Sequence, residues 1–123
     1  MTAFDFVLLY VTDTKKSADF YADLLGLPVL DVAPTFAMLK LRDGVMLGLW
    51  RHDGVEPAAK VTPGGSEIAF IMDDVAALDA RCAEWKARGI SIQQEPTDMD
   101  FGRSFTAGDP DGHRIRLYVS ARR

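Results

Sequence analysis

The chain has 123 residues, 48% hydrophobic and 26% charged, the size and composition of one soluble globular domain that needs no disulfide staples. A formal charge of −4 excludes a nucleic-acid or anionic-membrane surface, since phosphate binding needs a basic stripe and Arg114, Arg116, Arg122 and Arg123 are too few to supply one. The single cysteine, Cys82, excludes an internal disulfide and a zinc knuckle, and its place in an apolar helical pattern predicts a reduced core thiol.

The start, Met1-Thr2-Ala3-Phe4-Asp5, lacks a charged n-region and an apolar h-region, so no signal peptide is expected. No stretch approaches the roughly 20 apolar residues of a membrane span, and the expected address is the cytoplasm. Phe4 to Val11 is apolar on both faces and reads as a strand ending in Thr12-Asp13-Thr14, a polar cluster fit to cap a helix. Phe20, Tyr21, Leu24 and Leu25 make one apolar stripe of that helix, and Gly26 followed by Pro28 stops it. A short strand is expected around Pro28 to Val32. Thr35 to Leu41 is a further strand, Asp43-Gly44 a tight turn, and Val45 to Trp50 its hairpin partner.

His52 to Ser66, with two prolines and Gly64-Gly65, reads as a linker. The pattern then starts again. Ile68 to Met72 is a strand, Asp73-Asp74 a cap, and Val75, Leu78, Cys82 and Trp85 a helical stripe ended by Gly89. Phe105 to Ala107, the Asp111-Gly112 turn and Ile115 to Val119 form the closing hairpin. Two ungapped registers express the repeat: Phe6–Asp13 over Glu67–Asp74, and Asp43–Trp50 over Asp111–Tyr118. The expected fold is α+β, two tandem βαβββ modules forming a curved mixed sheet around a cleft. Module one covers about 4–52, the linker about 53–66 and module two about 67–120, all within one domain, 1–123.

This organisation resembles the vicinal oxygen chelate superfamily of glyoxalases, extradiol dioxygenases and bleomycin- or fosfomycin-resistance proteins. The residues that carry the resemblance are Val11-Thr12-Asp13, Ser17-Ala18-Asp19-Phe20-Tyr21, Leu24-Leu25-Gly26-Leu27, Glu67-Ile68-Ala69-Phe70, Asp73-Asp74-Val75 and Asp109-Pro110-Asp111-Gly112. Pro34 to Met38, Leu47 to Trp50 and Pro96 to Arg103 are similar to the phenazine-antibiotic-resistance branch. The resemblance implies a homodimer, often with both chains lining each cleft.

It also implies four positions for a catalytic divalent metal, and the motif carries these onto Phe6, Gly48, Glu67 and Arg116. Only Glu67 could ligate; Phe6 and Gly48 offer no donor, and the fixed charge of Arg116 opposes a cation. His52 and His113, the two histidines, are expected as solvated turn residues, and Asp98 and Asp100 as solvated loop acids. No metal or other cofactor is expected. Glu67 and Arg116 are instead expected to pair through two hydrogen bonds, either as a structural salt bridge or to orient a polar ligand group.

Strand alternation puts Leu8, Tyr10, Met46, Trp50, Ala69, Ile71 and Tyr118 on the face of those four positions, while Val7, Leu9, Val11, Leu47 and Leu49 pack under the helices. The cleft face is therefore rich in aromatic side chains, the usual make-up of a small-molecule site. Trp50 is the expected stacking surface and Gly48 a gap beside it, the alternative being that Trp50 simply fills a core. Phe36 and Met38 share one face of their strand, and the sequence leaves open which. The resemblance implies that Phe101, in the loop Met99 to Arg103, stands next to the ligand; Arg103 is expected as a structural anchor.

The leading expectation is a metal-independent protein that binds and sequesters a planar aromatic molecule such as a phenazine-like antibiotic. Its alternatives are an enzyme, either a metal-dependent lyase or dioxygenase or an isomerase using Glu67 as base, and a structural module with its cup packed shut.

Overall fold

The computed structural model describes residues 2–121, so Arg122 and Arg123 lie outside the described residues. The chain divides into two compact units between Gly64 and Gly65. The first runs β1 (Phe6–Val11), α1 (Thr14–Leu25), β2 (Val29–Val32), β3 (Phe36–Arg42) and β4 (Val45–Arg51). The second repeats it as β5 (Glu67–Met72), α2 (Val75–Ala87), β6 (Ser91–Met99), β7 (Gly102–Gly108) and β8 (Arg114–Ser120). The sheet orders are β1-β4-β3-β2 and β5-β8-β7-β6. In each unit the first strand pairs parallel with the last, and the remaining pairings are antiparallel. This is the α+β, doubled βαβββ arrangement that the sequence pattern predicts.

The repeat extends to hydrogen-bond register. Phe6 stands opposite Met46 and Leu8 opposite Gly48 in the first unit. Glu67 stands opposite Arg114 and Ala69 opposite Arg116 in the second, which are the same pairs under the two sequence registers. Both helices start the same way, on an aspartate. The Asp13 carboxylate accepts from the Lys16 N–H at 3.0 Å and that of Asp74 from the Ala76 N–H at 2.8 Å, satisfying amides that the helix itself leaves unpaired. Gly26 closes α1 at φ 67°, a left-handed conformation open to glycine at no steric cost.

Each helix covers one face of its own sheet. In the first unit Leu9, Val11, Ala37, Leu39, Leu47 and Leu49 are all within 1% of complete burial beneath Ala18 and Tyr21 of α1. The second unit buries Leu78, Cys82 and Trp85 of α2 against Phe105, Ile115 and Leu117, with Trp85 edge-on to Phe105 at 5.4 Å. Val75 departs from its expected stripe: it occupies the first helical position and is exposed.

Three expectations about local structure need correction. The segment Pro96 to Met99 belongs to a nine-residue strand, β6, and β7 begins at Gly102, well before Phe105. Polar composition and Pro96 hide β6 from a hydrophobicity reading. The strand tolerates that proline because its ladder with β7 is irregular between Gln94 and Thr97, where no regular donor is required. His113 is not a solvated turn residue but 2% exposed: its Nδ1 accepts from the Ser66 N–H at 3.1 Å, and its own N–H donates to the Asp109 carboxylate. His52 begins a short 3-10 turn, His52–Gly54, and is half-buried.

Candidate functional site

On the face of the first sheet turned away from α1, β1 presents Phe6, Leu8 and Tyr10, β4 presents Met46, Gly48 and Trp50, and β3 presents Phe36 and Met38. The pairing of Phe36 with Trp50 and of Met38 with Gly48 settles the face that the sequence leaves open. Phe6 and Phe36 lie 6.3 Å apart between centroids, and Phe36 meets Trp50 edge-on at 6.0 Å. Such contacts add roughly 0.5–1.5 kcal/mol each beyond area burial. All three rings, with Tyr10 and Met38, remain half-buried, and Leu8 is exposed.

The space over Gly48 is not a gap. A Cβ there would stand 2.6 Å from Leu8 Cδ2 and 2.8 Å from both Phe36 Cζ and Phe6 Cε1. Glycine at this position lets three side chains converge on the backbone, so the aromatic face is continuous across it.

The corresponding face of the second sheet is polar at its centre. Arg116 on β8 donates from Nε to Glu67 Oε2 at 2.8 Å and from Nη2 to Oε1 at 3.2 Å, the two-pronged pair expected from sequence. Its Nη1 donates to the Ser104 hydroxyl at 2.8 Å. The guanidinium also lies 5.8 Å from the centre of the Phe101 ring, within cation–π range, and Phe101 meets Tyr118 edge-on at 6.1 Å. Phe101 occupies the β6–β7 turn and is exposed; Ile71, on the Tyr118 face of β5, is exposed as well.

The hydrogen bonds from Arg116 hold the Glu67 carboxyl below the usual carboxylate range, outweighing the opposing effect of burial. A carboxylate so held is a weak proton acceptor at neutral pH, which counts against Glu67 as a general base. The donor set also fails to fit a divalent metal. Phe6 and Gly48 have no ligating atom, and both oxygens of Glu67 are engaged by a cation. Among the described residues, no group of three or more His, Cys, Asp or Glu side chains is arranged to hold a metal ion.

Described residues of each unit line a cavity. The larger, about 570 Å³, sits at the N-terminal end of α1 and is lined in part by Thr14, Lys15, Pro34 and Arg51; none of the expected ligand residues lines it. Its polar walls are largely satisfied internally, with Thr14 Oγ1 donating to the Ala33 carbonyl at 2.7 Å and Arg51 Nε paired with Asp53 at 2.6 Å. The smaller, about 330 Å³, is lined by Gln93, Gln94, Met99, Thr106, Arg114 and Arg116. Thr106 is 2% exposed and its hydroxyl has no hydrogen-bond partner among the described residues, a cost of about 1–3 kcal/mol. Sequence reasoning missed Thr106, Ser104 and Arg114. Their signal is the period-2 alternation: Ser104 and Thr106 interleave with Phe105 and Ala107, and Arg114 shares the face of Arg116.

Arg103 is an anchor as expected: Nε and Nη2 hold both Asp79 oxygens on α2 at 2.9 and 3.2 Å, while Nη1 pairs with Asp98 on β6 at 3.1 Å. Asp98 is therefore an ion-pair partner within a strand rather than a loop acid.

A doubled βαβββ architecture of this kind defines the class, and the sequence agrees with it. The chain belongs to the Glyoxalase/Bleomycin resistance protein/Dioxygenase superfamily, which it matches over residues 3–117. It is 32% identical over 113 residues to the phenazine antibiotic resistance protein EhpR of Enterobacter agglomerans, covering 89% of this chain and 86% of that protein. It is 31% identical over 121 residues to a probable lactoylglutathione lyase of Vibrio cholerae, covering 89% and 85%. A protein of Agrobacterium tumefaciens solved by NMR in solution superposes with a TM-score of 0.86 at 46% identity, covering 98% of this chain and 99% of that one.

Proposed function

We propose that the protein binds a planar aromatic small molecule, of the phenazine or a related antibiotic-like class, and sequesters it without chemical change. The observation that carries this reading is the row Phe6–Phe36–Trp50 on the open face of the first sheet, rings in successive contact and each half-buried. A flat aromatic ligand gains from such a row by area burial and by ring contacts, with no reacting group required. The similarity to a phenazine antibiotic resistance protein supports the same reading. The similarity to a probable lactoylglutathione lyase points instead to an enzyme, but Glu67 tied to Arg116 is a poor base and the donor set is wrong for a metal.

The expected homodimer belongs to this proposal. Leu8 on the first sheet and Ile71 and Phe101 on the second are 44%, 53% and 44% exposed, apolar surface that a ligand or a second copy would cover. No helix among the described residues is long and apolar enough to cross a membrane, and the cytoplasmic address remains part of the proposal.

Titration with phenazine, followed by tryptophan fluorescence, tests the reading. Trp50 is half-buried on the aromatic face and Trp85 is 1% exposed in the α2 core, so wild-type quenching should come from Trp50 and vanish in Trp50→Phe. Quenching that survives Trp50→Phe removes Trp50 from the site. Recovery of an altered compound after incubation overturns sequestration.

A further inference from the structure

We propose that the indole N–H of Trp50 determines the specificity of the aromatic face by donating to an acceptor at the edge of the bound molecule. The ligand class is then a planar aromatic with a ring nitrogen or a quinone carbonyl, not a plain carbocycle. This rests on the reading above and adds to it what the edge of the ligand must offer. Every group invoked stands on the open face of the first sheet.

Among the described residues the Trp50 N–H donates to no other group. Nor is it enclosed: the enclosed side-chain polar atoms without a partner there are Ser17 Oγ and Thr106 Oγ1. The donor is therefore open to an incoming acceptor. A molecule that covers the half-buried Trp50 takes water away from this N–H, and one without an acceptor leaves it unpaired. Such a site rejects the wrong compound by its missing partner rather than by its shape.

The rest of the face sharpens this preference. Phe6, Leu8, Phe36, Met38 and Met46 have no side-chain N–H or O–H to give. Lys40, opposite Met46, has its ammonium paired with Asp43 at 2.7 Å. Tyr10 stands directly opposite Trp50, so a phenol and the indole come from the same end of the aromatic row. Hydrogen-bonding capacity gathered at that end orients the ligand, with its acceptor edge toward Trp50 and its hydrocarbon edge toward Phe6.

The crossing of the rings favours an edge contact as well. Phe36 is tilted 53° from Phe6 and 82° from Trp50, so a flat molecule cannot stack on all three. At least one contact is made by the molecule's edge. The lone pairs of a ring nitrogen or a carbonyl lie at that edge, in the ring plane.

Phenazine and anthracene test the assignment, since they share three fused rings and differ in two ring nitrogens. Equilibrium dialysis gives the affinity of each for the wild type and for Trp50→Phe, which keeps a ring but has no N–H. The substitution should weaken phenazine binding roughly tenfold more than anthracene binding, as the loss of one hydrogen bond from a desolvated donor implies. In the nitrogen-15-labelled wild type the two indole N–H signals belong to Trp50 and Trp85. Phenazine should move the Trp50 signal downfield and slow its exchange with water, a readout that decides the matter even where the variant fails to fold. Equal losses for the two compounds, or a Trp50 signal left in unchanged exchange by bound phenazine, overturn the hydrogen bond and leave the planar-ring reading standing. Binding of neither compound by the wild type overturns both readings.

Discussion

Arg116 holds both carboxylate oxygens of Glu67, at 2.8 Å from Nε and 3.2 Å from Nη2, across 49 residues of sequence. The pair joins the first strand of the second sheet to the last, at the centre of its open face. Its consequences are testable.

The first consequence concerns pH. Because the folded-state pKa of Glu67 lies below its unfolded value, the pair stabilises the protein above the ordinary glutamate pKa. That contribution is lost as pH falls through the folded value. The Glu67 side chain is 38% exposed, so the effect is modest, at most about 1 kcal/mol. In urea denaturation Glu67→Gln should be less stable than wild type at neutral pH, and the gap should close in acid. A gap independent of pH contradicts the assignment.

Removing the cation should cost more than removing the carboxylate's charge. Arg116→Leu leaves Glu67 and the Ser104 hydroxyl without their partner and strips the cation from Phe101, a loss of roughly 1–3 kcal/mol. If the pair also orients a ligand, phenazine affinity falls in the same variant. An unchanged affinity confines the pair to a structural role.

Gly48→Ala inserts a methyl group where Leu8, Phe36 and Phe6 already converge within 2.8 Å. The rings must move, at a cost of about 1–3 kcal/mol. Thermal denaturation should register the loss, and phenazine affinity should change with it because Phe36 also contacts Trp50. Wild-type stability in the Gly48→Ala variant would show that the aromatic face yields freely.

His113 fastens the end of the linker to the second sheet. Its Nδ1 accepts from the Ser66 N–H, and the next residue, Arg114, donates its N–H to the Ser66 carbonyl at 2.8 Å. His113→Ala should remove amide-exchange protection at Ser66 first and cost about 1–3 kcal/mol overall. Retained protection at Ser66 would refute the fastening role.

Cys82 should be inert in the native state. It is 2% exposed, and burial pushes its thiol pKa up, so little nucleophilic thiolate is present. Iodoacetamide should label it slowly in buffer and rapidly in urea. Fast native labelling would mean that α2 opens readily.

Much of this protein is legible residue by residue. Asp13 and Asp74 announce their helices, and Gly26 marks the end of α1. Strand parity separates Phe6, Tyr10 and Trp50 from Leu9, Leu47 and Leu49 because alternate side chains must face opposite ways. β6 is not legible, since its residues pair through an irregular ladder and carry no apolar run. His113 misleads because a turn in sequence can still be buried when another segment, here Ser66, needs its ring nitrogen.

The sequence by itself determines the repeat, the two shared registers and the aromatic character of the open face, since these follow from local period and from matching short segments. Only the tertiary structure decides what those side chains meet. Pairing brings Glu67, Ser104 and the β6–β7 turn to one guanidinium, closes the space over Gly48 and leaves Thr106 buried without a partner among the described residues. The reason is physical: hydrogen bonding, burial and cavity shape depend on which distant strands become neighbours and on how their side chains fill the space between them.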